Sequence, residues 1–517
     1  MIAYRFAASL MASCLTAAPQ QPVTATLQLP NSWAVRETSC TDVDADGKSD
    51  LVLACYNEAN KRRQLRIHLR DPRSGRFAAS PSREPIPLDR DVVAFAFVEL
   101  AADPGRELVL FTSEQAVWQR LAGDQDNPNT RLFRHSLVWP AATDRCVALT
   151  DAVDDFDGDG AEDLLLPGPN AWSLWRQLPS DSGVPKFAAP RTLQLPTRRA
   201  TLSRNGGSNG SVAIDREGLQ LRFGQGTGSG GPLVSLSART PPRAVLDLDG
   251  DGARDIACYR NGSTYSTSLG EAPTSAASKR ATSRITPIQR EMPLPLPQDR
   301  LTTVDPTFDV RWHDVDADGT PELVLITSAQ RDGSIEARID LFGRNSDGGI
   351  ADKRTIRLRT QPHAIPVQFV DANGNGRADL VCVTLRTSSL PSLPGSDSGT
   401  AEVQLNIFGN DGSSFQKQAL LLKPLPLSKN AGRFSRPFLR VRPGRRGFPG
   451  DVLLHAGGGG GELEQRLLKA DGDALELGKT IARVAIPDDF RIVALDPLGD
   501  DLLLVADHEV RHVRFRR

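Results

Sequence analysis

The sequence predicts an all-β fold: a single β-propeller of about eight blades, with seven to nine allowed. Three observations predict it. A short acidic loop followed by an apolar run recurs at spacings from the forties to the low seventies. Each recurrence leads, after a polar turn, into a run that alternates apolar and polar residues, as a half-buried strand does. Glycine (44) and proline (37) are abundant and helical periodicity is absent, which favours many short turns. A repeat of this length is the size of a propeller blade, a small four-stranded sheet.

The chain opens MIAYRFAASLMASCLTAAPQQP, one Arg ahead of an apolar, small-residue run from Phe6 to Ala12. That run is too short to span a bilayer and fits a secretory signal over residues 1–18. Met11-Ala12-Ser13-Cys14 resembles a bacterial lipobox, with Cys14 as the residue to be lipidated. Plain cleavage near Ala17 or Ala18 is the alternative. The expected location is therefore secreted, periplasmic or cell-surface, with a membrane link only through a lipid at Cys14. Residues 19–517 are expected to form the propeller.

The first full repeat is Asp42 to Leu53, DVDADGKSDLVL. Asp155 starts DFDGDGAEDLLL, Asp247 starts DLDGDGARDIAC, Asp314 starts DVDADGTPELVL and Asp371 starts DANGNGRADLVC. Side-chain oxygens stand at positions 1, 3, 5 and 9, with glycine at 6. Degenerate copies lie at 97–112, 209–223, 449–459 and 498–515. Nine strand pairs result, and the copy at 209–223, without loop acids, is the weakest. Leu51 to Ala54 with Leu65 to Leu69 shows the strand pair; Leu323 to Ile326 with Ile335 to Phe342, and Leu380 to Val383 with Val403 to Phe408, repeat it. Segments such as Glu84-Pro85-Ile86-Pro87-Leu88 read as edge strands, because proline cannot donate to a ladder.

The last unit stops after three strands, Phe490 to Leu495, Leu502 to Val505 and Val510 to Phe515. Near the mature N-terminus, Val23-Thr24-Ala25-Thr26-Leu27-Gln28-Leu29-Pro30 resembles Arg191-Thr192-Leu193-Gln194-Leu195-Pro196, where a fourth strand is expected. Residues 23–29 are therefore expected to complete the last blade, which leaves no long free edge.

The loop chemistry points to calcium, which takes six to eight hard oxygens. Carboxylates at positions 1, 3 and 5 converge, glycine at 6 permits the turn, a carbonyl at 7 adds a ligand and position 9 completes the cage. The expected ligands are Asp42, Asp44, Asp46, Lys48 and Asp50 in the first loop, and Asp155, Asp157, Asp159, Ala161 and Asp163 in the second. Asp247, Asp249, Asp251, Ala253 and Asp255 follow, then Asp314, Asp316, Asp318, Thr320 and Glu322. The fifth set, Asp371, Asn373, Asn375, Arg377 and Asp379, carries less charge. An EF-hand requires a bidentate Glu at position 12, where this chain has Leu53, Leu166, Cys258, Leu325 and Cys382, all strand residues. These loops hold 18 of the 63 acidic residues, and clustered carboxylates repel unless a cation relieves them. Up to five structural Ca²⁺ ions are expected, held with dissociation constants of roughly 10⁻⁴–10⁻³ M.

This pattern resembles the FG-GAP/VCBS repeat family, the calcium-loop blades also found in the head of integrin α subunits. The resemblance covers nearly the whole mature chain. It implies a calcium-bearing propeller, usually secreted or surface-exposed, linked to adhesion, recognition or carbohydrate binding. It carries over metal ligands and no catalytic residue.

The rest of the sequence bounds function loosely. A net charge of -1 gives no electrostatic case for nucleic acid or an anionic membrane; the basic tail from Val510 reads as a solvated or strand-edge segment. Beyond Cys14 there are five cysteines: Cys40, Cys55, Cys146, Cys258 and Cys382. Cys40 and Cys55 flank one loop and could bridge adjacent strands, whereas buried thiols are expected at Cys258 and Cys382. No nucleophile, zinc, P-loop or dinucleotide motif stands in a supporting context. His313, in Arg311-Trp312-His313-Asp314, reads as a strand-end histidine ahead of a functional one. Trp118, Trp172 and Trp175 read as packing residues. The loops Thr387 to Thr400, Gly224 to Gly231, Glu271 to Ser283 and Gly457 to Gly461 read as flexible spacers. The expectation is a monomeric, non-catalytic recognition, adhesion or scaffolding module for an extracellular protein or glycan. The alternative is a calcium-dependent propeller enzyme such as a polysaccharide lyase.

Overall fold

A computed structural model of the chain is all-β, with no helix among the described residues. The structure describes residues 23–101, 105–121, 130–135, 147–150, 152–157, 159–168, 171–180 and 184–194. From 213 onward it describes the strands given below with residues 314–315, 321, 371–378, 409–411, 415–416, 419–420, 429–430, 433–434, 443–444, 448–450, 461, 486–487, 489–490, 506–508 and 515. The expected signal segment, with Cys14, lies outside the described residues. So do most of the four loops read as spacers.

Nine sheets of three to five strands follow one another along the chain. The first is Ala34–Thr41, Asp50–Asn57, Arg62–His68 and Ile86–Leu88. The second is Ala94–Val98, Glu107–Phe111, Gln115–Gln119 and Thr130–Arg134, with Ala148–Leu149 added parallel to Ala94–Val98 as a fifth strand, and the third Val153–Asp154, Asp163–Gly168, Ala171–Trp175 and Arg191–Gln194. The fourth has three strands, Ala213–Arg216, Leu219–Gly224 and Leu233–Ala238. The fifth is Arg243–Leu246, Asp255–Arg260, Thr264–Ser268 and Arg290–Pro293, and the sixth Thr307–His313, Glu322–Arg331, Ser334–Arg344 and Ile350–Thr360. The seventh is Val367–Val370, Asp379–Thr387, Ala401–Phe408 and Leu421–Pro426, and the eighth Phe438–Arg442, Asp451–His455, Glu462–Asp471 and Ala474–Ala485. Consecutive strands within each sheet pair antiparallel, so the connections are local hairpins.

The ninth sheet joins the two ends of the sequence. Arg491–Ala494, Asp501–Val505 and Glu509–Arg514 take Val23–Gln28 as their fourth strand, in the register Val23 to Arg514 and Leu27 to Val510. Leu27 is buried there beside Val510, Leu503 and Val505. This pairing is the one expected from the missing strand.

Packing explains why a second strand such as Asp50–Asn57, Glu107–Phe111 or Asp501–Val505 reads as an unbroken apolar run behind its acid. It is buried on both faces, and alternate side chains serve different neighbours. Val52 and Ala54 pack with Phe95, Phe97, Leu108 and Leu110 of the second sheet. Leu51, Leu53 and Cys55 pack with Leu503 and Val505 of the ninth. Val109 and Phe111 pack against Leu164 and Leu166 of the third sheet. Leu165, Trp172 and Leu174 then meet Ile256 of the fifth, so the third and fifth sheets are in direct contact. The sixth sheet packs on the seventh through Val324, Ile326, Leu380 and Cys382, and the seventh on the eighth through Val381, Val452 and Leu454. Leu453 joins Leu502 and Leu504 to close the eighth onto the ninth. Each fully buried Leu contributes about 1.5–3 kcal/mol.

Two features depart from the sequence reading. Cys40 and Cys55 form no disulfide and both remain thiols. Their strands are paired, but Cys40 faces Leu51, four positions from Cys55. At about 3.4 Å per residue that offset greatly exceeds the roughly 7 Å a disulfide can span. The third unit also carries an extra hairpin, Gln177–Leu178 with Lys186–Phe187.

Candidate metal centres

The acidic loops join the first and second strands of their sheets. In the first loop, oxygens of Asp42, Asp44 and Asp46 lie within 4.8 Å of one another. Asp155, Asp157 and Asp159 form the same group in the third sheet. The turn is built identically in both. The Asp46 amide donates to Asp42 Oδ1 at 3.1 Å, and Gly47 to Asp42 Oδ2 at 2.9 Å. Asp159 and Gly160 donate to the two oxygens of Asp155 at 3.2 and 2.9 Å. The position-7 amides of Lys48 and Ala161 donate to Asp46 and Asp159, each at 2.8 Å. Gly47 and Gly160 hold φ of +82° and +90°, where a side chain is strained, so glycine at position 6 follows from the backbone.

The loop of the seventh sheet repeats this turn. Asn375 and Gly376 donate to the two oxygens of Asp371 at 3.0 and 2.8 Å, and Arg377 donates to Asn375 at 2.8 Å. Position 4 has a requirement that the acid spacing did not reveal. Gly374 has φ +82° and Ala45 φ +58°, so this residue is left-handed as well.

The acid at position 9 is built differently from the other three. Asp50, Asp163, Asp255 and Asp379 are buried at the head of the second strand. Their carboxylates clamp backbone. Asp50 accepts Val43 N–H at 2.9 Å and Arg70 N–H at 2.7 Å. Asp163 accepts Phe156 N–H at 3.3 Å and Gln177 N–H at 2.8 Å. Asp379 accepts Ala372, Asn373 and Asn410 N–H at 2.9, 3.1 and 2.9 Å. Glu322 takes Val315 N–H at 2.7 Å. Position 9 therefore ties the loop to the start of the second strand and to the segment after the third.

The electrostatics follow from burial and clustering. Burial, then the charges of Asp46 and Asp42, raises the Asp44 carboxyl above the usual carboxylate range. Burial also raises Asp157, with Asp159 adding and the Arg176 guanidinium at 3.1 Å opposing. Asp163 is pushed up to about 8 by burial and by Asp157, Asp159 and Asp155, against the Gln177 amide. Asp379 reaches only about 6, because it sees one loop acid, Asp371, and three opposing amides. Three carboxylate oxygens thus converge in each of these two loops, with turn amides fixing their positions.

Other expected ligands are placed in part. Asp314, Val315 and Glu322 are described in the fourth loop, and Asp255 in the third. Asp247, Asp249, Asp251, Ala253, Asp316, Asp318 and Thr320 lie outside the described residues. His313 ends its strand opposite Glu322 and stacks on Phe369 at 5.0 Å. Trp118, Trp172 and Trp175 are buried on third strands, Trp175 stacked on Phe133 at 3.9 Å.

No family model matches the sequence, and no curated protein matches it. Among solved structures, the Nup133 β-propeller domain of Vanderwaltozyma polyspora is 9% identical, covering 68% of this chain and 91% of that one at a TM-score of 0.28. Hsv2 of Kluyvelomyces marxianus is 10% identical, covering 77% of this chain and 99% of its own, at 0.24. The biofilm matrix protein Bap1 of V. cholerae is 11% identical, covering 96% and 88%, at 0.25. Likenesses this loose carry no argument for the present chain.

Proposed function

We propose that the chain is a calcium-stabilised β-propeller of the FG-GAP/VCBS kind, secreted or surface-anchored, serving as a non-catalytic recognition, adhesion or scaffolding module. The observation that carries the calcium reading is the shared loop geometry, with three oxygens within 4.8 Å in two separate units. Bound calcium relieves the repulsion among these carboxylates, to which the Arg176 guanidinium beside Asp157 already contributes. Asp42, Asp44 and Asp46 in one loop, and Asp155, Asp157 and Asp159 in the other, hold the ion, and the turn amides fix their aim.

Sheet-on-sheet packing supports the ring, as does the fourth strand that residues 23–28 lend to the last sheet. Eight blades is the count we adopt, because the third sheet meets the fifth directly. The deciding experiment is a thermal melt in calcium and in chelator, paired with a glycan array and a lyase assay on acidic polysaccharides. Indifference to chelator overturns structural calcium. Glycan retention without cleavage supports recognition, and cleavage overturns the non-catalytic reading.

A further inference from the structure

The recognition reading leaves the ligand open, and the distribution of charge over the sheets narrows it. We infer that the last strand of the sixth sheet, Ile350–Thr360, is a binding edge for an extended acidic polysaccharide. The inference rests on the recognition reading above and names a ligand class for it.

The chain carries a net charge of -1, yet its charges are sorted by position in the sheets. Among the described residues, each of the nine sheets ends on a strand bonded on one side only, with Val23–Gln28 in that place in the ninth. These nine terminal strands together hold eleven basic residues and three acidic ones, a net of +8. Ile350–Thr360 has the largest share, with Lys353, Arg354, Arg357 and Arg359 against Asp352.

Cations on a terminal strand also guard it against pairing with another chain. That need does not explain the distribution. Val23–Gln28 and Leu233–Ala238 end their sheets without a charged residue, while the sixth sheet ends with four cations in the seven residues 353–359. With a period of two, Lys353, Arg357 and Arg359 fall on one face of the strand, about 14 and 7 Å apart along it at roughly 3.4 Å per residue. Arg357 stands opposite Arg338 in the register, a like-charged cross-strand pair of the kind that destabilises a sheet. Asp340 meets Arg338 at 2.9 Å, and Glu336 stands opposite Arg359. Over 336–340 and 353–359 this face therefore holds four cations and two acids. A bound anion supplies the missing negative charge, and the unbonded N–H groups of the free edge add donors for it.

The layout selects the ligand. Cations in file along one strand match a single extended chain, whereas a membrane surface calls for cations spread over a plane. Single-stranded nucleic acid is held by aromatic stacking as well as charge. The nine terminal strands contain one aromatic residue, Phe133, and it is buried. Carboxylated or sulfated sugars need the cations and the edge donors alone.

The test is biolayer interferometry of the full chain on carboxymethyl dextran, dextran sulfate and unmodified dextran, three polymers of one backbone. Both anionic polymers should bind and unmodified dextran should not. Affinity should fall as salt rises, since exposed charges are screened over about 10 Å at 0.1 M. K353Q/R354Q/R357Q/R359Q should bind at least about tenfold more weakly. R357Q/R359Q, a lighter change for use where the fourfold variant melts early, should lose at least about threefold. The control K61Q/R62Q/R73Q/R76Q removes as many exposed cations from the first sheet and its turns, and should lose less than about twofold. No binding of either anionic polymer, or an equal loss in the control, overturns the inference. So does tighter binding of oligothymidylate or of phosphatidylglycerol vesicles than of either anionic dextran. Retention of a neutral glycan on the array, unchanged in the variants, overturns this inference and leaves the recognition reading standing. Cleavage of an acidic polysaccharide overturns the non-catalytic reading, and a loss of binding in the variants then still supports this strand as the edge that holds it.

Discussion

Replacing Asp50 with alanine separates the backbone role of position 9 from the metal role proposed for positions 1, 3 and 5. Asp50 is fully buried and accepts Val43 N–H at 2.9 Å and Arg70 N–H at 2.7 Å. Alanine leaves both amides inside without that acceptor, and each such loss costs about 1–3 kcal/mol. The total is about 2–6 kcal/mol. A cooperative unit of 517 residues has an unfolding entropy of about 1 kcal/mol/K, so Tm should fall by roughly 2–6 °C. The two amides stay buried whatever the solvent holds, so the loss should persist in EGTA. Asp44→Asn is the contrast: it keeps the oxygen that accepts Asp46 N–H and removes only charge. It should lower Tm in calcium and be silent, or mildly stabilising, in EGTA. Differential scanning calorimetry of both variants in both buffers reads this out. A wild-type melt for Asp50→Ala in EGTA refutes the clamp, and an equal loss for Asp44→Asn in both buffers refutes the metal role.

Three further predictions use other parts of the molecule. Leu27 is 1% exposed in the closing strand, so Leu27→Ala should cost about 2–5 kcal/mol; hydrogen exchange over 509–514 should rise with it, and unchanged exchange there counts against that strand's contribution. Burial pushes His135, beside Phe111 and Phe133, down to about 4 from its ordinary value near 6.5. The unfolded chain takes up that proton first, so stability should fall as pH drops from about 6.5 to about 4, and His135→Phe should flatten this part of a denaturation-versus-pH profile. Arg442→Met strands the buried Asp451 carboxylate and should cost about 3–5 kcal/mol by urea unfolding, while R442M/D451L should recover most of it.

The sheets were legible because five units state their register twice, once in the loop acids and once in the apolar run behind them. Leu51-Val52-Leu53 cannot alternate with polar residues, since odd members face the ninth sheet and the even member faces the second. The closing strand was legible from the likeness of VTATLQLP to RTLQLP, and both segments do form fourth strands. The Gln177–Leu178 hairpin was missed because its own strands are two residues long and carry no period. What holds it is lateral: Phe187 against Phe133, with ring centres 5.3 Å apart, joins segments more than fifty residues distant. The positive φ at Ala45 was hidden because alanine gives no cue of left-handed backbone. In the candidate site, side-chain identity and spacing were readable. The direction in which each oxygen or amide points was not, because partners such as Arg70, Gln177 and Asn410 come from a separate strand.

Those partners explain why one acid outlasts the rest of its loop. In the second sheet the acidic loop is incomplete, yet Glu107 is buried and accepts the Leu100 and Ala101 amides at 2.9 and 3.3 Å. That is the bond Asp50 makes to Val43, with the same offset of seven residues. Asp451 and Asp501 also persist without a loop, each met by an arginine. Carboxylates at positions 1, 3 and 5 take turn amides and, at Asp157, the Arg176 guanidinium, and losing them relieves mutual repulsion. The acid at position 9 sits where buried amides or a buried guanidinium need an acceptor, and losing it leaves them stranded at about 1–3 kcal/mol each. Loop acids can therefore be absent from a unit that has another source of rigidity, while the acid at the head of the second strand stands in eight of the nine sheets, all but the fourth.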